Sequence, residues 1–101
     1  MGGSLNIEEI EREADKIIEE AKKKAEEIIK NAKMRAEQIL SAPIPTQEFK
    51  KEADKIVDEA KREAEKILNE AYAQADEIRR KGRGKMEQAV NDLVRRVVGA
   101  Q

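Results

Sequence analysis

Apolar residues return along this chain every eleven positions. In the first half they run Ala14, Ile17, Ile18, Ala21, then Ala25, Ile28, Ile29, Ala32, then Ala36, Ile39, Leu40, with charged side chains filling most of the gaps. At ~100° per residue, the four positions of one repeat cover an arc of about 100° on an α-helix. That is the width of a seam for one or two partner helices, and too narrow for a broad core. Eleven residues in three turns is about 3.67 per turn, above the relaxed ~3.6, so helices that keep such a seam in contact coil around one another right-handedly. Alanine slots let backbones approach, while isoleucine supplies buried area.

The second half repeats the first. Residues 13–39 aligned on residues 52–78 match at 14 of 27 positions, at an offset of 39. The stripe there reads Ala53, Ile56, Val57, Ala60, then Ala64, Ile67, Leu68, Ala71, then Ala75 and Ile78. An offset of 39 is not a multiple of eleven, so a straight helix through both halves swings the second stripe by roughly 130° from the first. The segment "SAPIPTQ", residues 41–47, is placed to absorb that rotation. Pro43 and Pro45 each lack a backbone donor and push Ala42 and Ile44 toward extended geometry. Thr46 can cap a following helix with Glu48 in its first turn, and Asn6 with Glu9 resembles a capping box.

These signals predict an all-α chain of two long helices, over about 6–41 and 46–98, roughly 54 and 80 Å long. Its organisation reads as a flexible start over 1–5, a coiled-coil helix over 6–41, a proline break over 42–46, a second coiled-coil helix over 47–85 and a docking helix over 86–101. The short break allows two courses. In a hairpin the two stripes pair within the chain; in an extended rod both need a partner.

Residues 79–101 change character, with seven basic against two acidic residues, whereas the preceding 78 carry fourteen basic and twenty acidic. Gly82 follows Ala60 and Ala71 by elevens, so it occupies a small-residue slot and no P-loop context surrounds it. Arg79 stands where Val57 and Leu68 stood and interrupts the seam. The basic cluster lacks the interleaved aromatics of a nucleic-acid surface, and a solvated face or a contact with an acidic protein surface accounts for it. Beyond it, Met86, Ala89, Val90, Leu93, Val94, Val97 and Val98 form a wider apolar face that reads as a docking helix.

Composition narrows function further. Charged residues are 43% of the 101-residue chain and aromatics 2%, with Phe49 and Tyr72 the only two, which argues against a compact globule and for long helices. Without Cys or His there is no thiolate chemistry, and the commonest general base and metal ligand are missing. Glu19 with Lys23, Glu20 with Lys24, Glu26 with Lys30 and Asp58 with Arg62 make i,i+4 pairs, so the carboxylates read as solvated helix surface. No hydroxyl has a base beside it in a nucleophile motif. No apolar run reaches the ~20 residues that span a bilayer. The expectation is a non-enzymatic mechanical or scaffolding element, with no cofactor and no metal, located in the cytoplasm.

The eleven-residue Ala/Ile repeats of "EADKIIEEAKKKAEEIIKNA" and "KREAEKILNEAYAQADEI", together with the ending "KMEQAVNDLVRRVVG", resemble the small peripheral-stalk subunit, type G or H, of archaeal and vacuolar-type rotary ATPases. The resemblance spans nearly all of residues 8–99. It implies a right-handed coiled-coil heterodimer with the E-type stalk subunit, in a stator that holds the catalytic hexamer against rotor torque during ion or proton transport. It also implies that the N-terminal end approaches the membrane stator subunit and that Met86, Ala89, Val90, Leu93, Val94 and Val97 dock at the catalytic head. The stripe from Ala14 to Ile78 would then contact the E-type chain, and the protein would be peripheral to the membrane, without insertion. The two prolines depart from an uninterrupted rod.

Other functions fit the same residues. A self-associating coiled-coil scaffold needs nothing further. A stress protector with eleven-residue repeats has faces poorer in Ile and stays disordered in dilute buffer, which circular dichroism separates from a coiled coil. A membrane-surface helix wants Lys flanking a wider apolar face, whereas the narrow seam and Glu-rich flanks here fit a protein partner.

Overall fold

A computed structural model describes residues 6–99. The expected flexible start over 1–5 and the last two residues of the docking segment lie outside the described residues. Two α-helices make up the fold, α1 over Ile7–Leu40 and α2 over Gln47–Gly99. They fold back on each other as an antiparallel hairpin with extents of 87 × 20 × 14 Å. The hairpin, of the two courses the sequence allows, is the one adopted.

Each helix begins where a side chain can satisfy its free amides. The Asn6 Oδ1 accepts from the Glu9 amide at 2.8 Å, and the Thr46 Oγ1 accepts from the Phe49 amide at 3.2 Å. Acidic residues follow in the first turns, Glu8 and Glu9 in α1 and Glu48 in α2, where the helix dipole favours them. α1 ends as the Ser41 amide returns to the Glu37 carbonyl at 2.9 Å. The connection over 41–46 holds both prolines, all of it outside regular structure. α2 runs without a break through Gly82 and Gly84, so the segments 47–85 and 86–99 are one helix.

The core is the seam between the helices. All ten alanines of the two stripes are buried, with Ala14 and Ala75 at 0% exposure, joined by Ile10 and Gly82. The aliphatic residues beside them are half-buried or, at Leu40, exposed. This division follows from the repeat: alanines lie along the middle of the 100° stripe and the larger residues along its two edges. Small residues in the middle of a seam let helix backbones approach closely, and here the larger residues flank them. Both aromatics lie outside the core, Phe49 and Tyr72 being exposed.

Candidate functional site

The register of the hairpin is fixed at its open end, away from the connection. Ile10 lies against Gly82, and its side chain fills the space where a β-carbon would stand: such an atom would clash with Ile10 Cδ1 and lie 3.0 Å from Cγ1 and 3.2 Å from Cγ2. Farther along, Ala21 and Ala71 line one cleft together, and Ala32 and Ala60 another. Gly82, Ala71 and Ala60 are eleven apart, as are Ile10, Ala21 and Ala32. The Ile10–Gly82 layer is therefore the same layer as its two neighbours, with the bulk of two alanines moved onto one side.

Arg79 closes the same end. From the slot where the pattern calls for Val or Leu, its Nε donates to Glu11 Oε2 at 3.1 Å and its Nη2 to Asp15 Oδ1 at 3.3 Å, both across the seam. Its Nη1 donates to Asp76 Oδ1 at 3.4 Å on its own helix. The side chain is 24% exposed, so its stem covers the seam edge while its guanidinium stays at the surface. The hydrogen bond with Glu11 raises its pKa above the ordinary arginine value; burial opposes this, and the charges of Glu11, Asp15 and Asp76 add to it. A raised basic pKa contributes stability that is full below the group's ordinary value and is lost as pH rises through the raised one. Arg79 thus stays charged across the range in which proteins remain folded.

This geometry explains why charge is polarised along the sequence. In the hairpin, the basic stretch from Arg79 to Lys85 returns beside the start of α1, where Glu8, Glu9, Glu11, Glu13 and Asp15 cluster. Opposite charges at the two ends of the chain therefore meet in the fold. Ile10, Glu11 and Asp15 were not singled out by the apolar stripe. Ile10 was legible as the position eleven before Ala21, whereas pairing Arg79 with α1 required knowing that the chain folds back.

Of the residues expected at a partner interface, Ala14, Ala21, Ala25, Ala32 and Ala36 are buried against the chain's own second helix, as are Ala53, Ala60, Ala64, Ala71 and Ala75 against the first. Two rows edge this seam. One includes Ile17 and Ile28 with Ile67 and Ile56, which line the two clefts. In the eleven-residue register Ile39 and Ile78 continue it, all six half-buried. The other holds Ile18, Ile29 and Leu40 with Val57 and Leu68, and ends in Arg79. The apolar face expected to dock lies apart from both: Met86 is half-buried beside Ile7, and from there α2 runs on with Val90, Leu93, Val94, Val97 and Val98 exposed. Leu93 is 61% exposed. Isolated exposed apolar residues are ordinary; five on one helix face form a patch.

Among the described residues no polar or charged residue is buried, and no group of three metal-ligating side chains converges. Among the described residues no helix is long and apolar enough to cross a membrane. No protein-family model, curated protein or solved structure matches the chain.

Proposed function

We propose that the chain is a non-catalytic structural element that works through helix faces, and that its setting is the peripheral stalk of an archaeal or vacuolar-type rotary ATPase. The observation that carries the reading is the end of α2, whose apolar face from Val90 to Val98 is exposed. A continuous helix that buries its first part in a seam and leaves its last part bare holds a surface ready for a second body. In a stalk, that face meets the catalytic head together with the globular part of the E-type subunit, and the N-terminal end points to the membrane stator subunit. The Ala/Ile stripe pairs with the E-type chain as a right-handed coiled coil, resisting torque along its length. The hairpin is then the form taken without that partner, and assembly exchanges one Ala/Ile seam for another.

The fit of Ile10 to Gly82 and the reach of Arg79 to Glu11 and Asp15 favour a second reading, a coiled-coil scaffold whose hairpin is the working form. Capture of the tagged chain from its native host, with partners identified by mass spectrometry, separates the two. The stalk reading expects an E-type subunit together with catalytic ATPase subunits, and expects Leu93→Glu to keep the first while losing the second. Recovery of the chain alone, or only of further copies of itself, overturns it in favour of the scaffold.

A further inference from the structure

The hairpin leaves more surface in water than a chain of its size ordinarily does. Its accessible area is 8417 Å². A compact monomer of 11.4 kDa exposes about 5,800 Å². One edge of the seam is a row of six isoleucines, Ile17, Ile28, Ile39, Ile56, Ile67 and Ile78, all half-buried, with charged side chains along the clefts beside them. The opposite edge ends in Arg79 with its three carboxylates.

We propose that the all-isoleucine face is covered by a second copy of this chain, giving a two-fold four-helix bundle. Closed two-fold dimers are the commonest oligomers, and here the symmetry makes a checkable demand on charge. A two-fold axis along the hairpin places α1 of one copy over α2 of the other at the same height. The residues just outside the isoleucines then face one another. On α1 these are Lys24 and Arg35, which line the two clefts, and Glu13, eleven before Lys24. On α2 they are Gln74 and Glu63, which line the same clefts, with Lys85 and Glu52 eleven beyond at either end.

In the register set by Ile10 and Gly82, each α1 residue falls between two α2 residues of the second copy. Arg35 falls between Glu63 and Glu52, Lys24 between Gln74 and Glu63, and Glu13 between Lys85 and Gln74. Each of these three α1 residues meets opposite charge, while farther out in the same cleft Glu20 of one copy stands near Glu70 of the other. The twelve isoleucines of the two copies fill the centre, and the alanine layers remain as the close contacts within each hairpin. With a width of 20 Å over a paired length of about 50 Å, the covered face is about 1,000 Å² per copy, in the range of stable dimers. The inference depends on neither setting proposed above, since it concerns the chain without other partners.

Sedimentation equilibrium of the full chain tests it, beside two charge-reversed variants, Lys24→Glu/Arg35→Glu and Glu52→Lys/Glu63→Lys. The expected result is twice the chain mass for the parent, the single chain mass for each variant alone, and a return to twice the mass when the variants are mixed in equal amounts. Mixing is decisive because repulsion inside a hairpin is not relieved by a second chain, whereas repulsion between copies is. A parent that stays monomeric, variants that dimerise like the parent, or a mixture that stays monomeric overturns the proposal. Should a variant lose its helix signal, Lys24→Cys and Glu63→Cys chains, mixed and treated with a short bifunctional thiol reagent, keep the question open to refutation. A cross-linked pair between the two chains is expected, and its absence overturns the proposal.

Discussion

At the scale of single residues, one pair departs from the alanine rule and does so reciprocally. Ile10 takes an alanine slot on α1, and Gly82 takes the slot opposite on α2. Gly82→Ala puts a methyl group into space that Ile10 already fills, an overpacking cost of about 1–3 kcal/mol, against about 1 kcal/mol gained in helix propensity. Ile10→Ala leaves a void over Gly82 and costs about 2–4 kcal/mol. The double variant rebuilds the Ala–Ala layer found at Ala21 with Ala71, so the two losses are expected to fall short of additive by about 1 kcal/mol or more. Urea melts of the four chains measure this directly, and additive losses would show that the two side chains do not share a layer. The pair also marks the limit of reading the sequence. Gly82 was legible as a small slot, but the residue that makes glycine necessary lies 72 positions away and belongs to a different helix.

At the scale of elements, both helices and their ends are written locally. Eleven-residue periodicity, Asn6 and Thr46 as caps, and the two prolines place α1 and α2 within a residue or so of their observed bounds. The direction of the chain after residue 46 is not local, and only an argument about phase bears on it. Carried straight through, the offset of 39 turns the second stripe away from the first by roughly 130°, so one straight partner cannot cover both. Folding back lets each stripe cover the other. Pro43→Ala/Pro45→Ala removes the two breakers and restores two backbone donors, which favours helix through the connection by several kcal/mol. A fraction of the variant is then expected to open into one long rod. Spectroscopic labels at Lys16 and Lys81 report it: they sit at the same end of the hairpin, as the Arg79–Asp15 contact shows, and about 100 Å apart in a continuous helix. A distance distribution identical to the parent's would mean that the seam alone, without the prolines, dictates the fold-back.

For the whole molecule, the two helices differ in length, and most of the difference falls at one end. α1 is 34 residues and α2 is 53, yet the connection aligns them at the other end, so α2 runs on past Ile7 and Met86. Buried residues end at Gly82, and everything from Glu87 to Gly99 is exposed. Buried packing and exposed apolar surface thereby fall on different stretches of one helix. Shortening the chain to end at Met86 removes no buried residue, and the denaturation midpoint of the hairpin is expected to stay close to the parent's, with a smaller helix signal in proportion to the residues lost. Amide exchange in the parent should show the same division, with protection rising from the last turns of α2 into the seam and highest around Ala21 and Ala71. A large fall in the midpoint of the shortened chain would mean that residues 87–99 are held by the hairpin and are not a free surface. An unchanged midpoint combined with loss of the partners recovered by the parent would locate their docking on the bare end of α2.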